Sequence, residues 1–533
     1  MGVKIMKNNA KNRLKTAKIQ KNDNIYALKI KTESNNLGVL KTLIVILLII
    51  LQASILVLSY LYFSALFEWY FILSLALTFV TCIYVLSSDY HGQAKATWIF
   101  FLLISFGFGY LMYFMSDKRV LFAKSKKKYN KIIFKTQCVQ KHNSLTKIKD
   151  MEVKANCEYL YRTGNFVTHF DSKTRYFSSG TQLFDDILEN LEKAKNYIFI
   201  EYFIISNGVL LDRFLEILKQ KAKEGVDVRI IYDDMGSHGT LKRKTKKDII
   251  SAGIKLQHFN RLVPVFNIAL NLRNHRKIVV IDGEVSYTGG ANLADEYTNE
   301  KRMHGYWKDC GIKVSGKATD NLTIAFLQEW QFLTNQDVDY ANFLSTASAQ
   351  ESDGVVVPFV SGPNYSFSIA QNMYANVIAG AKERLYIMTP YFIPDETITN
   401  LLINKARSGV DVRIILPDVA DKKYVYIVSR NNAEKLLACG ARVYTMTHSF
   451  VHSKVMLTEN SAIVGSINMD LRSFNQQFES AVYTNQKETM QDIRADFDFA
   501  MAHSQEITPA NKRRNRVSYR AVAGLFNLIS PFM

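Results

Sequence analysis

Apolar runs crowd the start of the chain, and alternating or helical patterns fill the remainder. Residues 41–63, opening Lys41-Thr42-Leu43-Ile44-Val45-Ile46-Leu47-Leu48-Ile49-Ile50, form a stretch long enough to cross a bilayer, which takes roughly 20 apolar residues. A second run spans about Trp69 to Leu86, and a third about Ala96 to Met115. No A-x-A-like cleavage site follows the first run and more apolar segments come at once, so a cleavable leader is not expected. Further on, short apolar strands alternate with amphipathic helices. That alternation predicts α/β layers with helices covering a sheet.

The α/β portion reads twice. Glu224-Gly225-Val226-Asp227-Val228-Arg229-Ile230-Ile231 reappears as Ser408-Gly409-Val410-Asp411-Val412-Arg413-Ile414-Ile415, and Tyr202-Phe203-Ile204 as Tyr391-Phe392-Ile393. Each half reads as a strand ending near Tyr-Phe-Ile, an amphipathic helix, a Val-Asp-Val-Arg-Ile-Ile strand, further α/β structure and a hairpin. The organisation expected is a tail at 1–37, a membrane region at 38–116 with two or three apolar helices, and a basic linker at 117–160. Two halves at 161–345 and 346–510 follow, with a basic then apolar end at 511–533.

Each hairpin carries the same polar residues. His275-Arg276-Lys277 runs into Ile278-Val279-Val280-Ile281-Asp282, and His452-Ser453-Lys454 into Val455-Met456-Leu457-Thr458-Glu459. Residues i and i+2 of a strand share a face, so His275 projects with Lys277 and His452 with Lys454. Asp282-Gly283 is a hairpin-turn signal, with Val285-Ser286-Tyr287 as the returning strand. Glycine and asparagine follow in both copies: Gly289-Gly290-Ala291-Asn292 and Gly465-Ser466-Ile467-Asn468. Asp309, after Trp307-Lys308, and Glu479, before Ser480-Ala481-Val482-Tyr483, occupy matching places further on. Each is placed to accept a hydrogen bond from the histidine of the other half and fix its tautomer.

The duplicated hairpins resemble the HxKxxxxD-GxN signature of the phospholipase D superfamily. Thr389-Pro390-Tyr391-Phe392-Ile393-Pro394-Asp395 resembles the TPYF-PD segment of bacterial cardiolipin synthases. Tyr232-Asp233-Asp234-Met235-Gly236-Ser237 resembles their YDDxGS loop, and Asn468-Met469-Asp470-Leu471-Arg472-Ser473 their NxDxRS continuation. The Leu528-Ile529-Ser530-Pro531-Phe532-Met533 ending is also similar, so the likeness runs from about Thr97 to the C-terminus. It implies two phospholipase D-like α/β halves facing across one active-site cleft, with condensation of two phosphatidylglycerols into cardiolipin and glycerol. It also implies His275 as nucleophile and His452 as acid/base, with no cofactor and no metal. Lys277, Lys454, Asn292 and Asn468 would hold the phosphate. The motif carboxylates Asp282 and Glu459 belong to the implied catalytic signature, yet their place in the turn, away from the His/Lys face, argues for a structural part. Glu459 stands where the family pattern has Asp, and its turn is one residue shorter.

Charge narrows the partner. The 533 residues carry a formal net charge of +19, so an acidic partner is expected. Nucleic acid would satisfy the charge but gives no reason for the apolar runs; phosphatidylglycerol and anionic membrane lipids satisfy both. The cysteines Cys82, Cys138, Cys157, Cys310 and Cys439 have no metal-site or disulfide spacing. Lysines crowd both the first tail and the segment Lys118 to Lys135, and the positive-inside rule wants both on the cytoplasmic face. Three full crossings would separate them, so either one run is not a full crossing or one basic flank lies outside. The expectation is a multi-pass cell-membrane protein with a cytoplasmic catalytic portion. The alternatives are a phospholipase D using water or another alcohol, and a silent membrane scaffold.

Overall fold

The computed structural model describes residues 64–88, 92–105, 109–116, 118–141, 143–261, 272–510, 513, 516–528 and 530, with single helical positions between 47 and 61. The basic tail at 1–37, most of the apolar run at 41–63 and the closing residues 531–533 lie outside them. The chain forms two compact units, 1–114 and 115–533.

In the first unit one described helix is long and apolar enough to cross a membrane, with Glu68–Leu86 as its apolar stretch. It runs Ser64–Leu86 and exposes Trp69, Leu73 and Phe79. Over the third apolar run the described residues form two helical stretches. The chain is helical over Gly92–Ile104 and again from Gly109. Thirteen helical residues reach about 20 Å, short of the roughly 30 Å hydrocarbon core.

The second unit contains two sheets of matching order. The first has the strands Lys173–Phe177, Gly311–Ser315, Val285–Gly289, Lys277–Ile281, Tyr197–Tyr202, Asp227–Asp233 and Lys255–Phe259 side by side. The second repeats that order with Val356–Ser361, Gln477–Thr484, Ala462–Gly465, Val455–Thr458, Arg384–Met388, Asp411–Pro417 and Arg442–Met446, and adds Ser504–Ile507 at its edge. In each sheet the Val-Asp-Val-Arg-Ile-Ile strand is parallel to the preceding strand, which in turn is antiparallel to the His/Lys strand. The helix Thr319–Thr334 is buried along most of its length, with the Phe326 ring stacked on Phe199 at 4.6 Å.

The stretch read as a linker, 117–160, holds two helices packed on this core. Met151–Gly164 buries Val153, Cys157 and Leu160, and is capped by Asp150, which accepts from the Glu152 and Val153 amides. Lys118–Thr136 inserts Tyr129, whose hydroxyl donates to Glu329 at 2.7 Å. Its lysines had hidden this packing, because Tyr129, Ile132 and Thr136 face inward while Lys124, Lys127 and Lys131 face out.

Candidate active site

The two hairpins are built alike and anchored alike. Asp282 and Gly283 both take positive φ, 53° and 65°, and the Glu284 amide donates to the Ile281 carbonyl at 3.0 Å, as a type I′ turn requires. The second hairpin closes with the Thr458 amide donating to the Ser461 carbonyl at 2.9 Å. Asp282 accepts from the amides of Lys195, Asn196 and Tyr197 at 2.7, 2.7 and 2.8 Å. Glu459 accepts from Lys382 at 2.6 Å and Arg384 at 3.2 Å, the matching place in the other half. Both carboxylates are thus engaged by backbone amides at the turns, which suits a structural part. Five strand residues, about 17 Å, separate Asp282 from Lys277, and its oxygens are engaged by backbone. The longer Glu459 side chain does the same work from a tighter turn.

Two short parallel ladders cross between the halves and set the histidines. Arg273-Asn274 pairs with Gln477-Phe478, and the His275 amide donates to the Phe478 carbonyl at 2.8 Å. One step further along, His275 meets Glu479, with Nδ1 3.0 Å from both carboxylate oxygens. Ser449–Val451 pairs with Tyr306–Lys308, and the His452 amide donates to the Lys308 carbonyl at 2.7 Å. One step along, His452 Nδ1 lies 2.7 Å from Asp309 Oδ2. Each half thus lends its carboxylate to the histidine of the other, and backbone register delivers it. With Nδ1 held, Nε2 of each ring is left for a reacting atom.

All of these groups are buried: both histidines are 7 % exposed, and Lys277, Lys454, Asp309 and Glu479 are 2 % or less. Burial, then the charges of Lys277 and Lys454, holds His275 well below the usual histidine range. Burial and Lys454 pull His452 down to about 4, against the opposing pull of Asp309. Burial lowers Lys277 strongly and takes Lys454 to about 8. The two acids differ. Burial lifts Glu479 to about 8, whereas at Asp309 the push from burial is outweighed by His452 and Lys454, so its carboxyl stays below the ordinary range. Lys277 Nζ donates to the His275 carbonyl at 2.7 Å, and Lys454 Nζ to that of His452.

The asparagines are not equivalent. Asn292 accepts from the Ile204 amide at 3.2 Å and donates to the Tyr297 hydroxyl at 2.6 Å. Asn468 is 4 % exposed with its amide oxygen unpartnered. That oxygen can accept from a hydroxyl or, with the amide turned over, give its place to an N–H that reads a phosphate oxygen.

Several neighbours were not singled out from sequence. Ser466 Oγ donates to Glu479 and accepts from the Ser480 amide at 3.0 Å. Gln477, oriented so that both ends of its amide are satisfied, donates to Glu479 Oε1 at 3.0 Å and accepts from Arg472 Nε at 3.2 Å. Its position two residues before Glu479, on the same strand face, was the available signal. His452 is surrounded by the rings of Tyr297, Trp307 and Phe450 at 5.5, 5.5 and 5.8 Å, and Phe203 stands edge-on to His275 at 5.2 Å. Gly290 is required by close approach, since a Cβ there would lie 2.1 Å from Asp309 Oδ1.

Comparison with known proteins agrees with this architecture. The family model described as "Cardiolipin synthase, PLD-like domain" matches residues 187–304 and 374–500. The cardiolipin synthase of Halalkalibacterium halodurans is 32 % identical over 453 residues, 83 % of this chain and 90 % of that one. Cardiolipin synthase 2 of Bacillus cereus is 32 % identical over 453 residues, 83 % and 87 % of the two chains. An uncharacterised Streptococcus mutans protein is 34 % identical over 458 residues, 85 % of this chain and 99 % of its own. The crystal structure of phosphatidylserine synthase from Haemophilus influenzae superposes with a TM-score of 0.55 at 14 % identity, over 72 % of this chain and all of that one, a likeness of fold. The chain belongs to the cardiolipin synthase family of phospholipase D-like proteins.

Proposed function

We propose that the protein is a cardiolipin synthase, a phosphatidyltransferase that joins two phosphatidylglycerols into cardiolipin and glycerol. The observation that carries the reading is the pair of buried histidines, each held at Nδ1 by a carboxylate of the opposite half. His275 Nε2 attacks the phosphorus of the first lipid, forming a phosphoryl–nitrogen bond while the glycerol oxygen departs with a proton from His452. The terminal hydroxyl of the second lipid then gives its proton to His452 and displaces His275 from phosphorus. Atoms balance: cardiolipin and glycerol leave and both imidazoles are restored.

Electrostatics support this order of roles. An attacking imidazole must be neutral, and His275 is held well below the usual range by burial and two lysines. The proton donor must become an imidazolium, and His452 faces the acid that stays ionised, Asp309. In the free site burial and Lys454 keep His452 near 4. A phosphodiester anion entering beside Lys277 and Lys454 offsets their charge, so substrate itself raises His452 toward the protonated form. The same lysines, with Asn292 and Asn468, stabilise charge on the non-bridging oxygens.

The apolar helix Ser64–Leu86, the lysine-rich flanks and the lipid substrate support a multi-pass membrane protein whose catalytic portion faces the cytoplasm, with the exposed lysines of Lys118–Thr136 toward anionic headgroups. The test is a mass-spectrometric product assay on full-length protein with phosphatidylglycerol alone. Cardiolipin and glycerol, both lost in His275→Ala, are expected. Phosphatidic acid as the sole lipid product would overturn transfer in favour of hydrolysis, and full activity of His275→Ala would overturn the nucleophile.

A further inference from the structure

Condensing two phosphatidylglycerols brings two phosphodiesters together, and the described cations Lys277 and Lys454 account for one. We propose that Arg472 and Lys422 form a second anion subsite, which holds the phosphodiester of the acceptor phosphatidylglycerol while its hydroxyl reaches the phosphatidyl group on His275. This inference rests on the transfer reaction proposed above.

Arg472 sits in the turn that follows Asn468, on the short helix Leu471–Asn475. Its Nε donates to Gln477 Oε1 at 3.2 Å, Gln477 donates to Glu479 at 3.0 Å, and Glu479 holds His275 at 3.0 Å. Arg472 is thus two hydrogen-bonded residues from the nucleophile, which suits an acceptor whose phosphate and reacting hydroxyl are one glycerol apart. Anchoring through Nε leaves both Nη groups to a ligand. No ion pair ties the guanidinium to a carboxylate among the described residues, and the adjacent Asp470 accepts from the Ser473 amide at 2.7 Å. Burial pulls Arg472 below the ordinary arginine range in spite of the negative charge of Asp470 and Asp233. A half-buried guanidinium without a carboxylate partner is costly, and an arriving phosphate, met by a planar fork of donors, relieves that cost.

Lys422 supplies the second charge. Its Nζ lies 5.7 Å from the Tyr391 ring centroid and makes no ion pair among the described residues. The neighbouring Asp421 is engaged by the Tyr391 hydroxyl and by the Lys422 amide.

What lies beyond identifies a lipid. The Tyr424 ring, two residues beyond Lys422, packs 6.2 Å from Phe526 of the helix Val517–Leu528. The outer face of that helix exposes Val517, Val522 and Leu525 at 69, 43 and 62 %. An anion site bordered by an exposed apolar strip suits a headgroup with acyl chains; a free phosphate would need no such strip.

The test compares two reactions of the full-length protein in phosphatidylglycerol liposomes. Cardiolipin formation uses a phosphorylated acceptor, whereas exchange of labelled glycerol into phosphatidylglycerol uses the same donor and histidines with an acceptor that has no phosphate. In Lys422→Gln and in Lys422→Gln with Arg472→Gln, the ratio of cardiolipin formation to exchange should fall, by about tenfold in the double variant. Arg472→Lys, which keeps charge and loses the fork, should fall between. Exchange in the same sample reports a folded site. Equal loss in both reactions would overturn the subsite and leave Arg472 acting only through Gln477 and Glu479. A wild type that makes neither product would overturn the transfer reaction itself, and the subsite with it.

Discussion

Replacing Asp309 by Asn isolates the charge that His452 depends on. The carboxylate is fully buried, accepts from the Cys310 amide at 2.8 Å through one oxygen and lies 2.7 Å from His452 Nδ1 with the other. Asparagine keeps the size and one acceptor but removes the negative charge. A charge-assisted hydrogen bond contributes about 1.5–3 kcal/mol, and two unit charges 4 Å apart interact by about 4 kcal/mol at an effective dielectric of 20. Taking about 3 kcal/mol as the loss to the imidazolium in the transition state, kcat for cardiolipin should fall about 10²-fold. The decisive assay swaps the leaving group. A phosphatidyl ester of p-nitrophenol departs without needing a proton, so the pre-steady-state burst of nitrophenolate should keep its rate within about threefold of wild type. Slow cardiolipin formation with a fast burst places the defect in proton donation. A burst slowed as much as the natural reaction would refute the assignment of His452 as acid, because the charge would then serve the attacking histidine or the fold.

Three further outcomes follow from the same geometry. Asp282→Ala removes the acceptor of three amides and should lower stability by about 1–3 kcal/mol in denaturant unfolding, with activity per folded molecule retained; loss of activity without loss of stability would place Asp282 in the catalytic set. Gly290→Ala would place a methyl 2.1 Å from Asp309 Oδ1, so cardiolipin formation should drop at least about tenfold while the protein stays folded by circular dichroism. Lys454 is lowered to about 8 by burial, so it loses its positive charge as pH rises through that value in the free enzyme. kcat/KM should therefore decline on the alkaline side near 8, and Lys454→Arg, which keeps its charge, should remove that limb; a limb that persists would belong to Glu479 instead.

The repeat made much of the fold readable, because Val226-Asp227-Val228-Arg229 and its copy mark equivalent parallel strands and each His/Lys pair opens a buried strand. The side-chain alternation of a strand is local, so His275 with Lys277 and His452 with Lys454 could be placed from spacing alone. Partners set by tertiary register were less accessible. Gln477 and Arg472 are near neighbours of Glu479 along the chain, but they come to serve His275 because a two-residue ladder brings Arg273-Asn274 beside Gln477-Phe478. Neither segment has a pattern that announces such pairing. The helix Lys118–Thr136 was hidden for the opposite reason: its lysines dominate composition, while three inward positions, Tyr129, Ile132 and Thr136, decide where it packs. Asp282 and Glu459 could be placed away from the site by counting along the strand, yet the amides they hold belong to residues 75 to 87 positions distant and could not be named.

The exchange of carboxylates makes the histidine of each half depend on the other half. Glu479 is buried at 0 % exposure with His275 as a partner from the first half, and Asp309 is equally buried against His452 of the second. Separated, each half would carry a histidine with no orienting acid and an acid with no histidine. The ladders turn this mutual need into geometry. Their hydrogen bonds run between backbones, so the position of each acid follows from register and not from a flexible side chain. The same device lets the two pairs differ in detail, with a serine on Glu479 and a glycine beside Asp309, without loosening either. One acid is lifted and the other held down, an asymmetry that suits the proposed division of attack and proton transfer between two copies of one motif.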